Sequence, residues 1–360
     1  MSNIYDFFLP IYTQYGINAI CDGLYLHKGT VNRWMEKKEV PPQYYFDLCR
    51  IAGIEVDYSQ CNEKEKDQFF TSKDTAQYCL NKTYEVLQEW GVNISEYQFI
   101  EPSAGDGSFY NLLPENCRTG VDIEPKCDGV EKSDFLTWKP QTLKNICVGN
   151  PPFGLRGHLA LKFINHAAEF SDFVCFILPQ LFGSNGKGSC KSRVNGLNLI
   201  HSEIVDSNFY YPDGKEVKVN VVFQIWSKHH KLKEEKVDLS GIIKLYSLSD
   251  GGTPGSTRNK KHLYTCDYYL PSTCFGKEKM KLYRDFEELP QRKGYGLVVL
   301  SQKELVNSII ENIDWSEVCF TSTNGAYNLR FDLIETKIGS IVPPEKLAQG
   351  TQNPLLDALY

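Results

Sequence analysis

Two short segments carry residue types whose spacing can do chemistry. The first is Val148-Gly149-Asn150-Pro151-Pro152-Phe153-Gly154, which ends an apolar run. Its two prolines remove two backbone donors and fix two φ angles. The Pro151 carbonyl is then rigidly aimed beside the Asn150 side-chain oxygen. Two acceptors near one point, followed by the Phe153 ring, suit a planar group bearing an NH2. The second is Phe99-Ile100-Glu101-Pro102-Ser103-Ala104-Gly105-Asp106-Gly107-Ser108-Phe109, a strand running into a glycine-rich turn where backbone can approach a ligand. It is not the dinucleotide fingerprint GxGxxG, because Tyr110 stands at the last glycine position. In the next strand-like stretch, Gly120-Val121-Asp122-Ile123-Glu124 puts an acid where it can accept from both hydroxyls of a ribose. Ser133-Asp134-Phe135 ends a third, where Asp134 can accept from an adenine amino group with the Phe135 ring beside it. No lysine-bearing phosphate loop accompanies them, so the ligand reads as adenosine-like rather than a triphosphate.

These segments need an alternating scaffold to bring them together. Over residues 69–230, strand-like stretches end at Ile100, run from Thr119 to Ile123, and recur at Ile146-Cys147-Val148. Phe173 to Leu178 is a near-continuous apolar strand, and Val217 to Trp226 is a late one. Helical stretches lie between them, such as Leu159 to Phe170, so the spacing predicts an α/β domain with a mainly parallel sheet. Residues 1–60 read as short helices broken by Gly and Pro, the first over Ile11 to Asp22. There Thr30 can cap a helix that exposes Asn32 and Arg33 and turns Val31 and Trp34 inward. Pro41-Pro42 opens another, with Tyr45, Leu48, Cys49 and Ile51 as its apolar set. This region resembles the small helix-turn-helix domains of phage repressors. Residues 59–67 read as a linker. Residues 231–360 form a separate α+β domain, with a helix over Gln302 to Ile313, a strand over Asn328 to Ile334 and a loop at 251–256.

Composition narrows the class. A hydrophobic fraction of 41% and a charged fraction of 23% are those of an ordinary globular chain and exclude a disordered or fibrous one. No run approaches ~18 uncharged apolar residues, and no secretory leader is expected. The 12 cysteines are scattered with no CxxC pair, which disfavours a zinc site or a disulfide framework. Reduced thiols in a cytoplasm are expected instead. The net charge of −6 is uneven: Lys228 to Lys293 holds 14 Lys and Arg against 9 Asp and Glu. A local basic face of this kind suits a polyanion.

Taken in order, the motifs resemble those of S-adenosylmethionine-dependent DNA adenine-N6 methyltransferases whose recognition domain follows the catalytic one. The resemblance implies a Rossmann-like mixed sheet with helices on both faces. It implies S-adenosylmethionine as cofactor, held by Thr71, the Glu101–Gly107 loop with Ser103 and Gly105, Asp122, Ile123, Asp134, Phe135 and Phe163. Asn150, Pro151, Pro152 and Phe153 would be the catalytic tetrapeptide, which ends in Phe where Tyr is commoner. Tyr211 or the neighbouring Phe209 would stack on the flipped target base. Lys187, Lys191 and Arg193 lie in a Gly- and Ser-rich loop expected to order on DNA. Residues 231–360 would read the target, with duplex DNA as partner and a cognate restriction enzyme as a candidate second one. A bacterial or phage-encoded cytoplasmic enzyme is implied. Three other functions use the same parts: an RNA adenine-N6 methyltransferase, a protein-glutamine N5 methyltransferase, and a non-catalytic DNA-binding regulator with a relic fold. Cys190 does not make this a cytosine-C5 enzyme, because no Pro-Cys pair is present.

Overall fold

The computed structural model describes residues 3–56, 69–183, 189–206, 208–232, 238–251, 257–321 and 325–342. The expected linker at 59–67 lies outside them, as do most of the loop at 251–256 and residues 184–188, which include Lys187. The chain forms two compact units, one of Met1–Pro179 with Arg193–Leu232 and one of Gln180–Ser192 with Lys233–Tyr360.

The first unit begins with three helices, α1 (Tyr5–Leu24), α2 (Lys28–Lys37) and α3 (Tyr45–Ala52). They close around Phe8, Ile20, Leu24, Val31 and Leu48. α1 is longer than the apolar spacing suggested and breaks at Gly16, whose φ of 77° a helix interior does not adopt. Val31 and Trp34 do turn inward and Asn32 and Arg33 outward. The cap is not Thr30 but His27, whose Nδ1 accepts from the Gly29 N–H at 3.2 Å. The extended backbone of His27 starts the helix one turn earlier.

The sheet domain follows: β1 (Phe70–Thr71), α4 (Lys73–Glu89), β2 (Gln98–Glu101), β3 (Arg118–Asp122), β4 (Val130–Lys132), β5 (Asn145–Gly149), α5 (His158–Ala167), β6 (Phe173–Pro179), β7 (Asn198–Val205), β8 (Phe209–Tyr210), β9 (Glu216–Val217) and β10 (Val221–Ser227). Seven strands form one sheet in the order β4-β3-β2-β5-β6-β10-β7. The five from β4 to β6 run parallel, and β10 runs antiparallel to both its neighbours. The alternating pattern predicted an α/β domain with a mainly parallel sheet, and the mixed Rossmann-like sheet is the one the family resemblance implied. β1, β8 and β9 form a small separate sheet. The late strand is therefore two elements. Residues 216–220 alternate in exposure and belong partly to the small sheet, whereas Val221–Ser227 is buried throughout, as a strand covered on both faces must be.

The helices are tied to the sheet domain by charge. Asp47 of α3 is 3% exposed. It receives His158 Nε2 at 2.6 Å and Lys162 Nζ at 2.8 Å, both from α5. Arg50 donates to Asp47 at 3.1 Å and to Asp134 at 2.7 Å. Burial alone would raise the Asp47 pKa, but the His158 hydrogen bond and the Lys162 charge hold it well below the usual carboxylate range. Burial lowers the pKa of Lys162, against the opposing pull of Asp47.

The second unit contains β11 (Ile243–Ser249), β12 (Tyr268–Pro271), β13 (Thr273–Cys274), β14 (Lys293–Val299), α6 (Lys303–Asn312), α7 (Trp315–Val318), β15 (Phe320–Thr321), β16 (Tyr327–Asn328) and α8 (Phe331–Ile341). Two three-stranded antiparallel sheets, β11-β14-β12 and β13-β16-β15, share a core built on Tyr268, Leu297, Trp315, Ile334 and Ile338. The helix expected over 302–313 is α6. The strand expected over Asn328 to Ile334 stops at Asn328, and α8 takes over from Phe331. Ile334 and Ile338, four apart on one helical face, are the buried pair that decides it. Among the described residues there is no metal-binding cluster and no helix long and apolar enough to cross a membrane, and the cysteines are free thiols.

Replacing Asp47 with Ala strands the buried Lys162 charge. It is expected to cost about 3 kcal/mol, read by chemical denaturation of the full chain. Because the Asp47 pKa is depressed, its contribution is present above the ordinary carboxylate range and is lost as pH falls through the folded value. A loss under about 1 kcal/mol would show that the cluster is not the tie described.

Candidate functional site

The strand order reverses between β2 and β5, since β3 and β4 lie on one side of this pair and β6 on the other. Ligands of open α/β sheets bind in the crevice outside the carboxyl ends of the strands at such a switch point. The two motifs leave those strands there: Glu101 ends β2 and Gly149 ends β5, just before Asn150.

The turns are held by named bonds. The Gly105 N–H donates to Asp122 Oδ2 at 2.8 Å, and the Glu124 N–H to Asp122 Oδ1 at 2.7 Å. Gly105 sits at φ 53°, and a Cβ there would stand 2.9 Å from the Phe70 ring, so position 105 requires glycine on both counts. The Ser103 hydroxyl donates to the Asn150 carbonyl at 3.0 Å, joining one loop to the other. Asn150 Nδ2 donates to Thr71 Oγ1 at 3.1 Å. That bond fixes the amide plane and leaves Asn150 Oδ1 buried with no hydrogen-bond partner. Glu101 Oε2 is likewise buried and unpartnered. Burial pushes the Glu101 carboxyl well above the ordinary range; the Tyr110 N–H opposes this, and the Asp106 and Asp122 charges reinforce it. Burial also raises Asp122, against the Glu124 and Gly105 N–H groups.

The cleft has two adjoining lobes that share Ser103, Asp122, Ile123 and Pro152. One, about 550 Å³ of space partly open to solvent, is lined by Phe69, Phe70, Gly105, Glu124 and Asn150 to Pro152. The other, about 850 Å³, reaches Asp134, Phe135 and Phe163. Phe135 and Phe163 stack with centroids 5.1 Å apart. The small sheet roofs the first lobe: β1 pairs with β8, with Phe70 opposite Tyr210 and Thr71 opposite Phe209. Phe209 packs edge-on to Phe69 at 5.4 Å, and Phe69 edge-on to Phe153 at 5.2 Å.

The expected residues are thus gathered unevenly. Ser103, Gly105, Asp122, Ile123, Asn150, Pro151 and Pro152 line one cleft. Thr71 joins it through the bond from Asn150 Nδ2 and Phe153 through the ring chain, whereas Glu101 is buried at the end of β2 and does not line it. Of the hairpin aromatics, Phe209 reaches that ring chain and Tyr210 bonds to Asp106. Tyr211 lies half-buried in the turn, its N–H donating to the Lys215 carbonyl. Asp134 is already engaged: Oδ2 accepts from Arg50 and Oδ1 from the Leu136 N–H at 3.0 Å. Arg193 donates to the Tyr25 carbonyl and lies over the Tyr25 ring, against the helical domain. Lys191 opens a short turn ending at Arg193. Sequence reasoning missed Phe69, which nothing local distinguishes. It also missed Gln43, Phe46, Asp47 and Arg50 of the helical domain, which line the second lobe. Their spacing of three, one and three marks one helical face.

No protein-family model matches this chain, and no curated protein does. Solved structures match part of it. A proposed RNA methyltransferase of Pyrococcus horikoshii is 19% identical over 45% of this chain and 86% of its own, with a TM-score of 0.34. Magnesium protoporphyrin IX methyltransferase of Synechocystis PCC 6803, solved with bound S-adenosylmethionine, is 13% identical over 52% and 98%, with a TM-score of 0.30. The restriction-modification enzyme MmeI, solved with DNA, is 9% identical over 53% of this chain and 43% of its own, with a TM-score of 0.32. At these identities and scores the likenesses assign no activity.

The raised Glu101 pKa has a signed consequence. A carboxyl raised by folding favours the native state at low pH and loses that contribution as pH rises through its folded value. Glu101→Gln should therefore flatten the fall in stability above the ordinary carboxylate range, measured by urea denaturation across pH. An unchanged pH slope would contradict the buried carboxyl.

Proposed function

We propose that the chain is an S-adenosylmethionine-dependent methyltransferase acting on the N6 amino group of adenine in DNA. The observation that carries this is the unpartnered Asn150 Oδ1, a buried acceptor at the end of β5 beside two prolines. A buried acceptor of this kind costs about 1–3 kcal/mol unless a ligand donor satisfies it. An exocyclic NH2 supplies such a donor.

The second unpartnered atom, Glu101 Oε2, is a fit for the ammonium of the cofactor's methionine end. Asp122 keeps lone pairs beyond those used by Gly105 and Glu124, and these suit ribose hydroxyls. Phe135 and Phe163 bound the lobe for the adenine, with Asp134 at its edge. When bound, the cofactor supplies a methyl group already activated on its sulfonium. The protein's part is then to orient the amine. Asn150 Oδ1 and the Pro151 carbonyl accept its two N–H bonds and favour a more tetrahedral nitrogen. Phe153, with the aromatic of the 209–211 hairpin, holds the base. Positioning and fixed dipoles are the catalytic terms, and no enzyme nucleophile is required. A base inside a duplex must be flipped to reach the cleft, at a few kcal/mol. A nucleic-acid substrate is favoured by the basic stretch in the second unit, where Arg258, Lys260 and Lys261 are exposed, and the family resemblance makes that nucleic acid DNA. Arg284 and Arg292 are drawn into ion pairs with Glu311 and with Asp250 and Glu287, so lysines carry most of its positive charge.

Asn150→Ala should lower methyl transfer by roughly 100-fold or more while S-adenosylmethionine still binds, measured by labelled-methyl transfer and calorimetry. Lost cofactor affinity with an unchanged turnover would contradict the assigned role. Neutralising Lys279 and Lys281 should reduce the slope of log affinity against log salt by up to about 1.8 for duplex DNA. An identical slope would remove those lysines from the interface.

A further inference from the structure

The geometry points to the N-terminal helical domain as part of the cofactor site: Phe46 and Arg50 of α3 bind and select the adenine end of S-adenosylmethionine. This rests on the methyltransferase reading and deepens it.

Four residues at helical spacing, Gln43, Phe46, Asp47 and Arg50, form one wall of the second lobe. The opposite side of α3 carries Leu48, which packs into the helical core. The helix thus turns an apolar side to its own domain and a polar, ring-bearing side to the cleft. That wall is fixed rather than loosely apposed. Asp47 beneath it is locked to His158 and Lys162, and the Tyr44 ring lies 5.0 Å from the His158 ring. Arg50 Nε then holds Asp134 Oδ2 at 2.7 Å, while the Leu136 N–H holds Oδ1. Both carboxylate oxygens are oriented and each retains acceptor capacity. An acceptor-only group so fixed favours a ring bearing an amino group over one bearing a carbonyl. Phe46 adds an aromatic surface to a lobe whose apolar lining includes Ile123, Phe135 and Phe163. The spacing from Phe46 to Arg50, one helical turn, lets one helix supply both the surface and the positioning cation.

The test is titration of the full chain with S-adenosylhomocysteine and with its inosine counterpart, in which the adenine NH2 is replaced by a carbonyl. Wild type should bind the adenine form at least tenfold more tightly than the inosine form. Phe46→Ala should weaken S-adenosylhomocysteine at least tenfold, and Phe46→Leu, which keeps the apolar volume and the fold, at least threefold. Arg50→Ala should cut the adenine-over-inosine preference at least fivefold, a ratio that a general loss of stability leaves unmoved. Arg50→Lys should restore only part of it. If wild type binds and selects while all four variants match it, the inference is overturned and the methyltransferase reading stands. If wild type binds neither ligand, the methyltransferase reading fails and takes this inference with it.

Discussion

A buried amide oxygen without a partner is an unfavourable thing for a protein to keep, and much of the first unit is arranged around one. Asn150 could turn its amide only by giving up the bond from Nδ2 to Thr71, and its backbone is held by the Ser103 hydroxyl. Thr71 in turn is fixed by the pairing of β1 with β8, which also sets Phe209 opposite it. The acceptor, the ring chain from Phe153 to Phe209 and the turn after β2 are therefore parts of one constraint.

The sheet makes this arrangement possible. Strand order reverses between β2 and β5, so the turns leaving these two neighbours open a crevice that neither makes alone. Loops anchored on buried parallel strands can hold an unsatisfied acceptor and a raised carboxyl in fixed positions, because the burial that stabilises the strands also sets their environment. The helical domain completes the enclosure through a buried charge cluster. Such a cluster adds little net stability over apolar packing, but its bonds fix how α3 faces the cleft.

The parts legible in the sequence were those governed by local pattern. The continuous apolar run at Phe173 to Leu178, the glycine turn after β2 and the double proline after β5 each state their own structure. The elements misjudged were those that a non-local partner decides. Residues 217–220 leave the late strand because β8 pairs with Val217, together with the preceding Glu216, in a separate sheet. Residues 331–334 become helix because Ile334 and Ile338 share a core with Trp315 and Tyr268. The wall formed by α3 was illegible for the same reason. Asp47 and Arg50 look like ordinary solvated charges until the fold brings partners from 84 to 115 residues away. Choosing among Phe209, Tyr210 and Tyr211 also needed the register of a two-residue strand, which no local signal carries.

The central claim is that the Asn150 acceptor and its cleft serve methylation of an amino group on adenine in DNA. Its most direct test offers labelled S-adenosylmethionine with duplex DNA, single-stranded DNA, RNA and a release factor in parallel, and identifies the modified group by mass spectrometry. The account predicts N6-methyladenine in duplex DNA. Label confined to RNA or protein would contradict the substrate, and no label in any of them with the cofactor bound would contradict the claim that this cleft catalyses the transfer.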